Sequence, residues 1–203
     1  MQNDKRIGRN FEYIQKKDVN FDTTYCFISY FCEKLTLKLR RMERRYSVEL
    51  IEEHEKVNFY SIHLDGEELS ELERFFDKFP EGCKYDEEVD TILAWIDKIA
   101  EKGALERYFR PEGRYGDGVG VIPIDVGNKI RLYCLRLTDK VLIFGNGGVK
   151  DSDSWQNSKV LAPYVQLLTE TSRFVKSRLR DGKIILIDKE LIGNLDFVIN
   201  EKE

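Results

Sequence analysis

The clearest alternation of apolar and polar positions lies in residues 129–150, where two apolar runs are separated by a polar pair at 138–139. This pattern predicts two antiparallel strands joined by a two-residue turn, with a glycine corner at 145–148 after the second strand. In the register that such a turn sets, Arg131 lies opposite Asn146.

Three other stretches carry apolar residues at helical spacing. Residues 67–79 and 87–102 form two such stripes in succession, which predicts a helical hairpin that covers one face of a sheet. A third helix begins near Asn157 or Ser158, either of which can act as its N-cap, and ends at 181–182, where an aspartate precedes a glycine.

Shorter apolar runs predict the remaining strands. Residues 46–51 and 57–64 form either a hairpin or one long broken strand, and residues 105–128 contain short strands around a glycine-rich loop. One more strand covers residues 184–187. Together these elements predict an α+β fold in which an antiparallel sheet carries a helical hairpin and a C-terminal helix.

Length and charge suggest how the chain is divided. A chain of 203 residues suits one domain with additions, and we divide it into a basic extension at 1–45, an α+β domain at 46–181, and a C-terminal strand and tail at 182–203. The net charge of −4 is unevenly spread. Residues 46–104 are strongly acidic and would repel nucleic acid, whereas the basic 105–150 segment could contact it.

The basic extension has two interpretations. Met42 is the only methionine besides Met1, so translation could start there, with the preceding residues a misassigned extension. Alternatively, residues 25–41 form a helix whose apolar face docks on the body of the protein.

The cysteines and the apolar run near the N-terminus indicate the cellular compartment of the protein. The chain has four cysteines and none forms a CxxC pair, which favours reduced thiols in a cytoplasmic protein. The apolar run at 25–31 is too short to span a membrane, so we expect no membrane partner.

Charged side chains interrupt the otherwise buried positions of the 129–150 hairpin. Since side chains alternate between the two faces of a strand, Arg131, Tyr133 and Leu135 share one face. Cations within a strand pair are costly unless they face a site or a partner, and the glycine corner can bring Lys150 to the same end as Arg131. We therefore consider a small cationic site with a phenol. The alternative is that Arg131 pairs with a carboxylate such as Asp125 and that Lys150 is merely exposed.

A second group of cations precedes this hairpin. Arg107, Arg110 and Arg114 are interleaved with aromatic residues such as Tyr115, and we group Arg136 of the hairpin with them. Aromatic side chains among arginines suit single-stranded RNA, where bases stack while arginines hold phosphates. The alternative interpretation is an ordinary solvated loop.

Several common chemistries find no support in the sequence. The glycine loops at 113–120 and 145–148 fit neither of the usual nucleotide-binding patterns. His54 and His63 are the only histidines, and their spacing matches no zinc motif. An enzyme built on this chain would therefore work without a metal, a cofactor or a histidine.

The order of elements over residues 46–180 resembles that of the RelE/HigB-type toxins of bacterial type II toxin–antitoxin systems. The local similarity is an Arg-Leu-Tyr strand at 131–133, a second apolar strand at 141–144, and a glycine-bearing corner with lysine at 147–150, followed by a helix. The similarity in element order covers about two thirds of the chain, and only ~20 residues of it are motif-like.

This resemblance implies a small twisted sheet with helices on one face and metal-independent cleavage of ribosome-bound mRNA. In that chemistry Arg131 and Lys150 would stabilise the charge that builds on the phosphate, and Tyr133 would position a base or transfer a proton. An antitoxin protein would be the partner. The chain departs from the family in its acidity and in Asp151, which stands where a second lysine often follows.

Two other functions are compatible with the same residues. The fold could serve as a non-catalytic protein-interaction module, for example on a mobile element. In a third hypothesis, the basic segment 1–45 acts as a cover for the site within the same chain.

Overall fold

In a computed structural model, which describes residues 43–112, 116–124 and 129–200, the two strands of the predicted hairpin form the middle of a seven-stranded sheet. The strands are β1 (Glu43–Glu53), β2 (Asn58–Leu64), β3 (Arg110–Pro111), β4 (Val119–Val121), β5 (Ile130–Thr138), β6 (Val141–Val149), β7 (Ile184–Ile187), β8 (Glu190–Gly193) and β9 (Asp196–Asn200). The helices are α1 (Glu71–Asp77), α2 (Asp86–Lys102) and α3 (Ala162–Arg180). The predictions for residues 1–42, among them the helix at 25–41 and the start at Met42, lie outside the described residues.

The sheet has the strand order β3-β4-β5-β6-β2-β1-β9, and β7 and β8 form a separate two-stranded sheet. Strands β1 and β2 form the hairpin that was one of the two alternatives for this segment. Strands β2 and β6 pair in parallel, whereas β3 to β6 pair antiparallel in succession. The α+β class is confirmed, and the sheet is larger than the small one expected.

The register of the β5–β6 hairpin differs from the predicted one. The turn lies at residues 139–140, one position later than predicted, and Arg131 lies opposite Gly148 and not Asn146. The later turn accounts for the difference, because moving a two-residue turn by one position shifts every pair by two residues. The two irregularities in the pairing, between Leu132 and Cys134 and between Arg136 and Thr138, shift the register in opposite directions and cancel before Arg131. The predicted glycine corner is also wrong, since β6 continues through these glycines.

The helices cover both faces of the sheet. Helices α1 and α2 contribute Phe75 and Ile92 to a core that includes Phe144 of β6. Helix α3 packs on the opposite face, where Leu168 joins the core that includes Tyr133. The expectation that all helices lie on one face is therefore wrong.

The helix boundaries follow from local signals, with two corrections. Helix α2 ends before Gly103, as predicted, where φ is +88°. Helix α1 begins later than predicted, at a capping box formed by Ser70 and Glu73. Helix α3 also begins later, at Ala162, because a short 3-10 turn at Trp155–Asn157 precedes it. Ser158, one of the two predicted N-cap residues, lies before the helix, and its hydroxyl accepts a hydrogen bond from the Leu161 amide at 2.8 Å.

Helix α1 lies where the parallel strands β2 and β6 separate. Their pairing ends at Ser61 and Phe144, and the Ser61 hydroxyl accepts a hydrogen bond from the Leu72 amide at 3.2 Å. The ammonium of Lys78, the C-cap of α1, donates to Asn146 Oδ1 at 2.7 Å, to the Gly147 carbonyl at 2.9 Å and to the Tyr164 hydroxyl at 2.8 Å. This lysine therefore connects α1 to β6 and to α3.

Residues 182–199 are part of the same compact unit as the preceding strands and helices, which comprises Arg44–Ile199. The β7–β8 hairpin reaches β2, where the Tyr60 hydroxyl accepts a hydrogen bond from the Leu191 amide at 2.9 Å, and β9 lies beside β1 at the sheet edge. The strands after residue 181 therefore lie in the same compact unit as the rest of the sheet. Within the described ranges, no helix combines the length and apolar character needed to cross a membrane.

Candidate functional site

A cleft of about 190 Å³ opens on the α3 face of the sheet, at the end of the β5–β6 pair. Its lining combines cations, carboxylates, hydroxyls and apolar side chains: Arg110, Glu112, Arg131, Tyr133, Lys150, Ser152, Asp153, Trp155 and Leu161. Three of these residues, Arg131, Tyr133 and Lys150, are the ones that the sequence places in one cationic site. The structure brings them together and adds Arg110.

Sheet geometry explains why these residues meet. Arg131 and Tyr133 are two positions apart on β5 and therefore point to the same face. Lys150 follows β6, and its amide donates to the Lys129 carbonyl at 2.6 Å, so the end of β6 lies beside the start of β5. Arg110 of β3 lies in the same row of the sheet as Tyr133, because it pairs with Val121 of β4, which in turn pairs with Tyr133 of β5.

Arg131 lies at the inner end of the cleft, with only 4% of its surface exposed. Its Nη1 donates to the Ile130 carbonyl at 2.8 Å. Burial lowers the pKa of the guanidinium, and the neighbouring positive charge of Arg110 lowers it further, while Tyr133 and Glu112 act in the opposite direction. Desolvation strengthens the field of this cation on any anion that enters the cleft.

Tyr133 supplies a phenol that stays protonated at neutral pH. The residue is 2% exposed, and burial raises the pKa of its hydroxyl to about 12, with Glu112 adding to the effect and Arg131 opposing it. Such a group can donate a proton or a hydrogen bond but does not act as a base near pH 7.

Arg110 and Glu112 form an ion pair at the mouth of the cleft. The Nε and Nη2 atoms of Arg110 donate to the same Glu112 oxygen at 2.9 and 2.6 Å, and the Arg110 side chain is the more exposed of the two. The Glu112 carbonyl in turn accepts a hydrogen bond from Trp155 Nε1 at 2.6 Å. The cleft therefore holds a carboxylate next to its cations.

Sequence reasoning missed Glu112 and Trp155. The two-residue spacing of Arg110 and Glu112 on an extended segment could have indicated an ion pair on one face. No sequence signal marks Trp155, because it reaches the cleft from a short turn that packs on the sheet only in the folded chain.

Two other predicted RNA-binding residues that the structure describes, Arg107 and Arg136, do not line the cleft. Arg107 belongs to a 3-10 turn, and its guanidinium lies 5.2 Å from the centre of the Tyr108 ring. Arg136 donates to the Ala104 carbonyl at 2.6 Å and to the Asp139 carboxylate, which ties β5 to the segment after α2. These contacts give Arg136 a role in the fold, and its role in RNA binding stays a prediction.

Three other residues of the sequence predictions, namely Arg114, Tyr115 and Asp125, lie outside the described residues. Among the residues that are described, no cluster of three or more histidine, cysteine, aspartate or glutamate side chains could hold a metal ion. The two histidines lie apart from the cleft. His54 packs edge-on against Phe59, and His63 Nε2 lies 2.8 Å from the Glu67 carbonyl oxygen.

Comparison with known proteins identifies no relative. No protein-family model matches the chain, and no curated protein or solved structure matches it significantly.

Proposed function

We propose that this protein is a RelE/HigB-like endoribonuclease that cleaves ribosome-bound mRNA without a metal ion and is neutralised by an antitoxin protein. The observation that carries the proposal is the meeting of Arg110, Arg131 and Lys150 with the protonated phenol of Tyr133 in one cleft. Cations stabilise the extra negative charge that develops on a phosphodiester during cleavage, and a phenol can protonate the leaving oxygen.

The side chains of the cleft supply the groups for a complete reaction. The 2′-oxygen of the RNA attacks the adjacent phosphorus while its proton passes to the Glu112 carboxylate. The bond from phosphorus to the 5′-oxygen breaks, and that oxygen takes the proton of Tyr133. The products are a 2′,3′-cyclic phosphate and a free 5′-hydroxyl. Transfer of a proton from Glu112 to Tyr133 through water restores the enzyme.

The position of the acidic helices is compatible with an RNA substrate. Helix α2 carries Asp86, Glu87 and the buried Glu88 in its first turn and packs on the face of the sheet opposite to the cleft. Because salt screens exposed charges over about 8–10 Å, this acidic surface weakly opposes an RNA strand bound on the α3 face. The acidity of the 46–104 region is therefore compatible with RNA binding elsewhere.

A second function, a non-catalytic interaction module on the same fold, is favoured by the burial of the two central residues. Only 4% of Arg131 and 2% of Tyr133 is exposed, and an in-line reaction requires both groups to reach the phosphate. In this alternative, the exposed cations Arg110 and Lys150 bind an acidic side chain of a partner protein.

The test is mRNA integrity in an actively translating extract that receives the purified protein. We expect wild-type protein to cut mRNA and leave 2′,3′-cyclic phosphate and 5′-hydroxyl ends, whereas the Arg131→Ala/Lys150→Ala double variant leaves the mRNA intact. Lys102→Ala and Arg180→Ala are matched controls, because each removes an exposed cation outside the cleft. Circular dichroism shows whether each variant is folded. Intact mRNA in the presence of folded wild-type protein would contradict the proposal and favour the interaction module.

A further inference from the structure

The cationic cleft has an apolar end. Trp155 and Leu161 line it together with the cations, and Trp155 also packs against the core on the α3 face. Leu161 is buried, whereas Trp155 is partly exposed. An aromatic ring thus borders the cleft within which Arg110, Arg131 and Lys150 would hold a phosphate.

The indole of Trp155 is held in place by the protein. Its N–H donates to the Glu112 carbonyl at 2.6 Å. The turn that carries it is closed by hydrogen bonds from the Asn157 amide to the Ser154 carbonyl at 3.2 Å and from the Ser158 amide to the Trp155 carbonyl at 3.1 Å. Because the only polar donor of the ring is already used, the exposed part of Trp155 offers a π surface and no hydrogen bond.

We infer that the cleft binds one nucleotide of a single-stranded RNA, with the base stacked on Trp155 and its phosphate held by Arg110, Arg131 and Lys150. The inference rests on the proposed function and adds the recognition of the base. A volume of about 190 Å³ is small beside the ~300–1,000 Å³ typical of pockets for drug-sized ligands. The cleft therefore has no room for more than one nucleotide unit, and the rest of a bound strand would lie outside.

Stacking without a free hydrogen-bond donor predicts weak preference among bases. Every base has a π face, and contacts between bases and aromatic side chains tolerate all four. Trp155 would therefore distinguish a strand with bases from a strand without them, and not one sequence from another.

The experiment measures binding apart from cleavage. The probe is a 2′-O-methyl tetranucleotide, which cannot be cut because its 2′-oxygen is blocked, and it is compared with a 2′-O-methyl abasic oligomer of the same length. A Trp95→Phe background leaves Trp155 as the sole tryptophan, since the chain has two. We expect quenching of Trp155 fluorescence and about 5- to 150-fold tighter binding of the oligomer with bases, the range that stacking of one base provides.

Variants at Trp155 separate stacking from packing. Trp155→Leu keeps an apolar side chain but no π face, so the affinity ratio should fall to about 1 without weakening the abasic oligomer, whereas Trp155→Phe should keep a ratio well above 1. Variant affinities are measured with a fluorescent label on the oligomers. Equal binding of the two oligomers to the parent protein, or an unchanged ratio in folded Trp155→Leu, would overturn the inference and leave the proposed function standing. Failure of both oligomers to bind at 50 mM salt would also overturn the inference, whereas the proposed function is decided by mRNA cleavage in the translating extract.

Discussion

The backbone of Gly147 lies against the carbonyl oxygen of Arg131 so closely that a Cβ atom at position 147 would be 1.7 Å from that oxygen. No side chain fits at such a distance, and the neighbour is backbone that cannot rotate away. The glycine therefore permits β6 to pair with β5 at the place where Arg131 enters the cleft. Its role is close approach of two strands, and not the turn that a glycine-rich stretch usually predicts.

We expect Gly147→Ala to destabilise the fold severely, by about 3 kcal/mol or more, because the methyl group forces β5 and β6 apart. Gly148→Ala is the matched control. A Cβ there would meet Val160 Cγ1 at 3.4 Å, an ordinary contact, so its free energy of unfolding should change by less than ~1 kcal/mol. Urea unfolding of the three proteins checks the prediction, and comparable stability of the two variants would refute it.

Replacement of Tyr133 by phenylalanine should affect catalysis much more than stability. The hydroxyl is the proposed proton donor, and its loss should lower the rate of mRNA cleavage by about 10²- to 10⁴-fold. Because its pKa is raised to about 12, the phenol stays protonated from pH 6 to pH 9, and its titration should produce no loss of wild-type cleavage in that range. Cleavage by Tyr133→Phe at the wild-type rate would remove Tyr133 from the mechanism.

The parts of the site that could be predicted from the sequence depend on local geometry. Alternation along a single strand places Arg131 and Tyr133 on one face whatever the strand pairs with. Lys150 reaches the same end because an antiparallel hairpin returns there, even though the later turn shifts the register by up to two residues. The helix over residues 86–102 was also predictable, since its stripe and its terminal glycine are both local signals.

The parts that could not be predicted depend on contacts between distant segments. Arg110 begins β3, a strand of two residues that exists only because it pairs with β4, and Glu112 follows that strand. The parallel pairing of β2 with β6 joins residues more than 80 positions apart. The placement of α3 on the face opposite α1 and α2 likewise follows from tertiary packing, because an amphipathic pattern shows which side of a helix is buried but not which face of the sheet buries it.

Lys78→Met should destabilise the protein by about 1–2 kcal/mol. The ammonium donates to Asn146 Oδ1, to the Gly147 carbonyl and to the Tyr164 hydroxyl, and a charged donor lost from partly buried acceptors costs about this much. Lys84→Met is the control, since the Lys84 ammonium lies 4.9 Å from the centre of the Tyr85 ring at the surface, and it should change stability by less than ~0.5 kcal/mol. Equal thermal unfolding midpoints for the two variants would show that the Lys78 contacts contribute nothing.

Stability should decrease steeply between pH 10 and pH 12. Burial raises the pKa of both Tyr46 and Tyr133 from 10.0 to about 12. Above pH 10 the unfolded chain loses these protons before the folded protein does, so the unfolded state is favoured as the pH rises, by up to about 2–3 kcal/mol for each phenol. Below pH 10 these groups contribute no pH dependence.

Tyr46→Phe tests this pH dependence separately from the cleft. It removes the hydrogen bond with the Thr171 hydroxyl, 3.0 Å away, so it should be less stable than the wild type at pH 8. Its stability should nevertheless fall less steeply than that of the wild type between pH 10 and pH 12. Urea midpoints measured across that range check the slope, and parallel curves for the two proteins would exclude Tyr46 as a cause.

The salt dependence of RNA binding should report the number of cations that contact phosphate. For a single strand, each contact contributes about −0.7 to the slope of log K against log salt, so Lys150→Ala and Arg110→Ala should each reduce the magnitude of the slope by about 0.7, and Arg180→Ala should not. Arg110→Ala should also weaken binding more than Lys150→Ala does, because it leaves the Glu112 carboxylate uncompensated beside the cleft. Titration of a non-cleavable single strand at four salt concentrations measures both effects. An Arg110→Ala/Glu112→Gln variant should recover part of the affinity that Arg110→Ala loses, while its slope stays that of Arg110→Ala. An affinity no higher than that of Arg110→Ala would exclude repulsion by Glu112 as the cause.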